Sequence, residues 1–436
     1  MRSGVGIASL GLVVCTVVAC SDARGTDEPD TYAAAERIRG LRFKSRPEER
    51  HVTRAQLVAE SKSKGPTDAE VAFYQAVWGR LGYFPENYDP HAAIEPVASQ
   101  TAAFYSSDTK SVTFVDDYGN DPFVVAHELV HALQDQHFGL ATVHAARTLD
   151  EALARTALIE GDATVCSGRF SLERATAGNW SSKLVTDPQP YADAAESYLA
   201  ESTGPSKLPA FFAARPAFVY PWGAAFVLKL LEGREWRTGV VDARFRAPPA
   251  STEEIVKTAL GEEVDPLVDV VYPGPPRGLL RPLEVRFHDR LGLWHTYILL
   301  RSRGLAPPDA FALAKRWDGD ALEVLAETTA PRSDDAPPPV SSIVWVTEWD
   351  DAPSARAVAA LLQRSEPYLG GDPCPEGQPS RGPSVCILTR GTRVAIATGA
   401  VQQRDARALA LASFDPATVA LDQPAKRIPL PSFLTR

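Results

Sequence analysis

Apolar positions recur along this chain with two different periods, and the change of period divides it. Through the longer N-terminal part the spacing is helical. It predicts helices over 52–63 and 67–81, the second opened by the capping box Thr67-x-x-Glu70 and carried by Val71, Phe73, Tyr74, Val77 and Leu81. Gly82-Tyr83-Phe84-Pro85 breaks that helix. The alternation over 111–117 predicts a strand. A helix over 122–138 follows, with Asp121 as N-cap, Pro122 at the first position and Gly139 at the left-handed C′ position. Thr148-x-x-Glu151 opens the next, with Leu153, Leu158 and Ile159 on it, and it runs past Cys166, expected to be a buried free thiol. The polar, Pro- and Ser-containing stretch 175–207 predicts a loop or a poorly packed helix pair. Further helices are expected over 218–231, with Pro221 in the first turn, after Ser251-x-x-Glu254, and over 293–303 and 308–317. Residues 263–279 read as irregular and Trp317-Asp318-Gly319-Asp320 as a turn.

After the Pro-rich stretch 328–339 the period shortens to two. A strand is expected over 342–348 and a hairpin over 385–389 and 394–398, turning at Arg390-Gly391, with a helix over 353–364 between them and another after Gly399. The fold class that follows is α+β. A mainly helical domain with a small sheet occupies 39–330, a small α/β module 340–402, and a tail 403–436.

The N-terminus has its own pattern. Arg2 precedes an apolar run over 5–18 that is short for a membrane span, so 1–20 reads as a signal peptide. Val17-Val18-Ala19-Cys20 resembles a lipobox. Cys20 is thus the expected lipidation site, Cys15 being a poorer one because Val14 precedes it. Ser21 after Cys20 implies outer-membrane sorting in a two-membrane bacterium. The small, polar and acidic residues 21–38 predict a flexible tether, and no other stretch is expected to span a bilayer. The predicted location is the cell envelope, held to the membrane by lipid.

Composition narrows the picture. A net charge of −10 with no Lys/Arg run excludes nucleic acid as a partner, and 44% hydrophobic residues suffice for a sizeable core. Cys374 and Cys386 lie close in sequence at the hairpin's edge, and an exported chain meets oxidising conditions, so a Cys374–Cys386 disulfide is expected.

Candidate chemistry concentrates on the helix over 122–138. Four of the eight histidines fall between His127 and His144, and the centre reads His127-Glu128-x-x-His131. Residues i and i+4 share one helical face, so both imidazoles can meet one ion. Glu128 sits about 100° round the helix, too displaced to join them easily but well placed as a general base. A catalytic zinc takes three protein ligands, and two residues compete for the third place. His137 stands ten residues after His127, but on an unbroken helix it points roughly 80° from His127 and 120° from His131. Glu160 lies in an apolar run where an unpaired carboxylate is expensive to bury, and it is the preferred ligand.

His127-Glu128-x-x-His131 followed by Glu160-Gly161-Asp162-Ala163 resembles the gluzincin metallopeptidases of the thermolysin-like clan. The longer stretch from His127 to Phe138, with Glu160 to Ala163, is similar to a family of secreted or lipid-anchored bacterial and archaeal proteins carrying HExxHALQDQHF and then EGDA. Residues 103–116, 220–227 and 248–253 resemble further blocks of that family. The resemblance implies a zincin-like domain and one Zn²⁺ per chain on His127, His131 and Glu160. It also implies Glu128 as general base, peptide or protein substrates, and a sheet edge that holds extended substrate. Tyr220 is a candidate oxyanion donor, with His295 and His288 as weaker rivals. One departure concerns the Asp that many gluzincins carry four residues after the ligand Glu: here Thr164 stands there, and Asp162 is expected to face elsewhere. Two other readings stand beside the peptidase: a zinc-stabilised, catalytically silent envelope lipoprotein, and a metal-free envelope protein whose motif is coincidental.

Overall fold

The computed structural model describes residues 31–116, 121–176, 186–203, 207–236, 238–330, 336–364, 384–399, 403–414 and 427–429. The expected signal peptide, Cys20 and Cys374 lie outside them. The disulfide expectation is therefore described only at Cys386, which is buried.

Helix α1 (Thr31–Arg39) and strand β1 (Glu48–Val52) lead to α2 (Arg54–Ser63) and α3 (Asp68–Tyr74), which continues into a π-helical turn over Gln75–Gly79. Then come α4 (Ile94–Ser99), β2 (Ala103–Ser106), β3 (Ser111–Val115), α5 (Pro122–Phe138), α6 (Leu140–His144) and α7 (Leu149–Ala175). Helices α8 (Gln189–Ser202), α9 (Ala210–Val219), α10 (Pro221–Leu231), α11 (Gly239–Arg246) and α12 (Thr252–Leu260) follow. The remainder is β4 (Leu283–Asp289), α13 (Gly292–Ser302), α14 (Pro307–Ala314), β5 (Trp317–Glu327), β6 (Ser342–Trp349), α15 (Ala352–Gln363), β7 (Ser384–Arg390), β8 (Arg393–Gly399) and α16 (Gln403–Ala412). The class is α+β, helix-rich with two small sheets.

The tether expectation needs correction. Residues 31–39 are helical, and α1 docks on α5 and α7 with Ala34, Ala35 and Ile38 buried. Its apolar face is two alanines and one isoleucine, too weak a pattern to stand out beside an acidic leader. The three-stranded sheet is also arranged differently from expectation. Its order is β1-β3-β2, with β3 in the middle, paired parallel to β1 and antiparallel to β2. All five β3 residues are buried, so β2 is the edge nearer α5. The missing partner was β1, Glu-Glu-Arg-His-Val, whose polar, exposed side chains carry no strand alternation.

Helices α5, α7 and α10 form the centre, with α7 between the other two. Asp121 caps α5 through the Phe123 N–H, and Gly139 closes it at φ +70°. At the start of α7, the fully buried Asp150 accepts from the Thr252 N–H and hydroxyl and from Arg290, tying that end to α12 and to the turn before α13. Ala210–Leu231 is long and apolar enough to cross a membrane, a stretch not expected from the sequence. Yet 83% of its most apolar 18-residue window is buried inside the protein, so it serves here as a core helix pair.

The second sheet runs β4-β5-β6-β8-β7, antiparallel throughout. Two of its strands precede residue 330 and three follow it, so it bridges the two expected domains. Ile343 and Trp345 of β6 join the large core, while Val344 and Val346 face a smaller one with α16. Trp317-Asp318-Gly319-Asp320, expected as a turn, begins β5. Its turn-like residues serve tertiary contacts instead. Gly319 lets the 263–279 segment cross, since a Cβ there would lie 2.5 Å from the Val268 carbonyl oxygen, and Asp320 receives buried N–H groups.

Candidate metal centre

One turn of α5 supplies two imidazoles, and α7 brings a carboxylate to meet them. His127 Nε2 lies 3.0 Å from His131 Nε2 and 3.2 Å from Glu160 Oε2, and His131 Nε2 lies 3.4 Å from the same oxygen. Tetrahedral zinc with ligands at about 2.0–2.1 Å sets neighbouring donors about 3.3–3.4 Å apart, so this triangle fits the ion. Among the described residues it is the only such group of three or more. His137, the rival third ligand, is exposed at the end of α5 and donates to the Arg42 carbonyl at 2.7 Å, away from the trio.

Hydrogen bonding fixes which nitrogen His131 offers. Gln134 Nε2 donates to the Ile159 carbonyl at 3.0 Å and to Asp162 Oδ2 at 2.8 Å. Its amide oxygen therefore faces His131 Nδ1 at 2.9 Å. In the neutral ring Nδ1 carries the proton and Nε2 presents a lone pair to the other two ligand atoms. Three acceptors converging on one point call for positive charge. Burial alone would depress the His131 imidazolium, but the Glu160 carboxylate outweighs it and raises His131 to about 9. Burial acts on Glu160 in the opposite sense to the two histidines, which prevail and hold it well below the usual carboxylate range.

Glu128 is buried, and its carboxylate is pushed upward by desolvation, against the pull of both histidines. A weaker downward pull comes from the backbone N–H of Tyr105 on β2, so the edge strand lies beside the base. Tyr220 stands at the junction of α9 and α10, its ring 6.2 Å from that of His127. Two glycines allow this approach. A Cβ on Gly161, next to Glu160, would lie 2.2 Å from Gly223 backbone atoms, and one on Gly223 would lie 2.1 Å from the Ala157 carbonyl oxygen. The rivals to Tyr220 lie elsewhere: His288 pairs with Glu323, and His295 packs against Tyr83 and Phe211.

Gln134 and Arg39 are the residues that sequence reasoning missed. Gln134 was given no role from the sequence, though it stands three residues after His131 on the same face and is fully buried. Asp162 does turn away from the ligands, as expected, but reaches them through Gln134. The polar run Gln134-Asp135-Gln136-His137 is explained by separate partners: Asp162, Tyr105 with Lys110, the 44–45 backbone, and Arg42.

No protein-family model matches this chain, and no curated protein or solved structure matches it either.

Proposed function

We propose that this chain is a zinc-dependent peptidase of gluzincin type, with a zincin-like helical domain, exported and held to the cell envelope through lipid on Cys20. The observation that carries the reading is a buried carboxylate, Glu128, beside three metal-competent donors but outside their set. A purely structural site has no use for such a group, and burying it is costly.

His127, His131 and Glu160 would hold the ion. Bound zinc supplies Lewis acidity to the attacked carbonyl and to water. Glu128 takes the proton of the attacking water and passes it to the leaving amine. Burial, which raises its affinity for a proton, suits both halves of that task. Tyr220 donates its hydroxyl to the oxyanion formed at the attacked carbonyl. The side of β2 not paired to β3, next to α5, offers backbone groups to an extended peptide beside Glu128.

The test is cleavage of a peptide library by the full chain beside Glu128→Gln. Cleavage that is lost in the variant and on chelation, while the variant keeps its zinc, supports the peptidase. Zinc in both proteins with cleavage by neither favours the silent lipoprotein. A wild-type chain without zinc removes the metal reading altogether.

A further inference from the structure

Arg39 closes α1, and its side chain is fully buried. Its Nε donates to Asp162 Oδ2 at 2.7 Å, its Nη1 lies 2.8 Å from Asp242 Oδ1, and the rings of Phe138 and Phe245 each lie 5.7 Å from the guanidinium carbon. A short helix does not need such a residue to dock. Ala34, Ala35 and Ile38 already give α1 an apolar face, whereas taking an arginine out of water is costly unless it is well paired.

What the arginine touches gives it a role. The Asp162 oxygen that it binds is the one that also accepts from Gln134 Nε2. Contacts of 2.7, 2.8 and 2.9 Å thus lead from α1 through Asp162 and Gln134 to His131 Nδ1. Gln134, Asp162 and Arg39 are each 0–1% exposed, so water does not replace a lost link. The amide of Gln134 has nearly the same shape either way round. Flipped, it would turn its NH₂ toward His131 Nδ1 and drive the imidazole proton to Nε2, the atom that faces Glu160 and His127. The Asp162 carboxylate and the Ile159 carbonyl both oppose the flip, and Arg39 holds that carboxylate in place at full burial.

We propose that Arg39 is a positioning residue of the metal centre: seating α1 fixes Asp162, which fixes the Gln134 amide and so the His131 tautomer that offers Nε2 to the ion. The proposal rests on the metal-centre reading above. It makes zinc affinity depend on a helix that contributes no ligand.

The experiment uses the full chain and Arg39→Met, Arg39→Lys and Asp242→Asn. It reads the zinc dissociation constant by chelator competition, the visible spectrum of the Co²⁺-loaded protein, and the melting temperature of the metal-free protein. Losing support behind a metal ligand weakens binding about 10- to 100-fold, the loss expected for Arg39→Met with a changed cobalt band, while Asp242→Asn, which leaves the chain to His131 intact, stays within about 2-fold of wild type. Arg39→Lys keeps the charge without the fork and falls between. Wild-type zinc affinity and an unchanged cobalt spectrum in Arg39→Met overturn the proposal, whatever the melting temperature. So does Asp242→Asn weakening zinc as much as Arg39→Met, since that is loosening of α1 in general. Should Arg39→Met fail to fold, Arg39→Lys against Asp242→Asn decides: weaker zinc binding in the lysine variant supports the proposal, and equal binding overturns it. A wild-type chain that binds no zinc removes the metal-centre reading itself, a result visible before any variant is compared.

Discussion

Two carboxylates in this molecule, Asp320 fully enclosed and Glu160 mostly so, have opposite surroundings. Asp320, on β5, is ringed by donors: the Leu291 and Gly292 N–H groups at 2.9 Å each, Trp317 Nε1 at 3.0 Å and Trp345 Nε1 at 3.2 Å. Every partner has a proton to give, so the node is complete and joins the start of α13 to the five-stranded sheet. Glu160, on α7, faces two imidazole nitrogens, of which His131 Nε2 is a bare acceptor when the ring is neutral. That group is complete only with a cation, whether protons or a metal. A buried polar cluster satisfied from within is architecture. One made of converging acceptors has a place for something else.

The contrast is tested most strongly by breaking each side. His131→Ala, or Glu160→Gln, removes a donor from a three-donor set. Zinc stoichiometry by metal analysis is expected to fall from one per chain to near zero under conditions where wild type is loaded, with folding of the metal-free protein little changed. Asp320→Ala does the reverse. It leaves four buried N–H groups without an acceptor, each worth about 1–3 kcal/mol, so urea denaturation should show a loss of at least about 3 kcal/mol. The folded fraction should keep its full zinc content. If Asp320→Ala abolished zinc binding at equal stability, the two clusters would not be separable as drawn here.

Much of the acceptor cluster was legible in the sequence, and much of the donor cluster was not. The helical period at His127 and His131, the caps at Asp121 and Gly139, and the awkward placing of Glu160 are local signals, and α5 and α7 form where those signals lie. Asp320 gave the opposite signal. In Trp317-Asp318-Gly319-Asp320 the Asp and Gly read as a turn, because their partners at 291–292 and 345 are remote in sequence. β4 was unannounced for a similar reason, its central residues being of mixed character and only half-buried. Gln134 and Arg39 fail in a third way. Nothing local marks a glutamine as oriented or an arginine as buried until α1, α5 and α7 are brought together.

A gentler change probes the joint that brings Tyr220 to the metal ligands. In Gly161→Ala the new methyl group meets the Gly223 backbone at 2.2 Å, far inside contact, and no flexible side chain is there to give way. Overpacking of this kind costs about 1–3 kcal/mol. It also pushes α10, and Tyr220 with it, away from His127. Thermal melts should register the loss of stability. If the peptidase reading holds, cleavage should fall further than in Tyr220→Phe, since both the hydroxyl and the wall of the cleft are displaced. A Gly161→Ala protein as stable as wild type would show that the helix crossing relaxes, and that the glycine pair is not what sets the approach.

The smallest effect expected is a slope of stability with pH, and it returns to the sheet's side of the comparison. Asp289, at the end of β4, is buried. One carboxylate oxygen accepts from the Leu149 and Arg290 N–H groups, while Oδ2 has no hydrogen-bond partner. Burial outweighs those bonds and pushes the group up to about 7. The folded chain therefore holds a proton that the unfolded chain releases at the ordinary aspartate value of about 3.9. Between those two values the native state binds more protons than the unfolded one, so stability falls as pH rises. Asp289's contribution is fully present below the unfolded value and is lost as pH climbs to neutrality. Asp289→Asn has no proton to lose. Its denaturation midpoint relative to wild type should therefore improve steadily from pH 4 to pH 7, the window that the two values set. A wild-type-minus-variant difference that stays flat across that range would mean that Asp289 is ionised in the native protein, with its second oxygen reached by a donor such as the nearby Arg427. The node would then be complete in the same sense as Asp320's, and the open cluster of acceptors on α5 and α7 would stand out further from the rest of the protein.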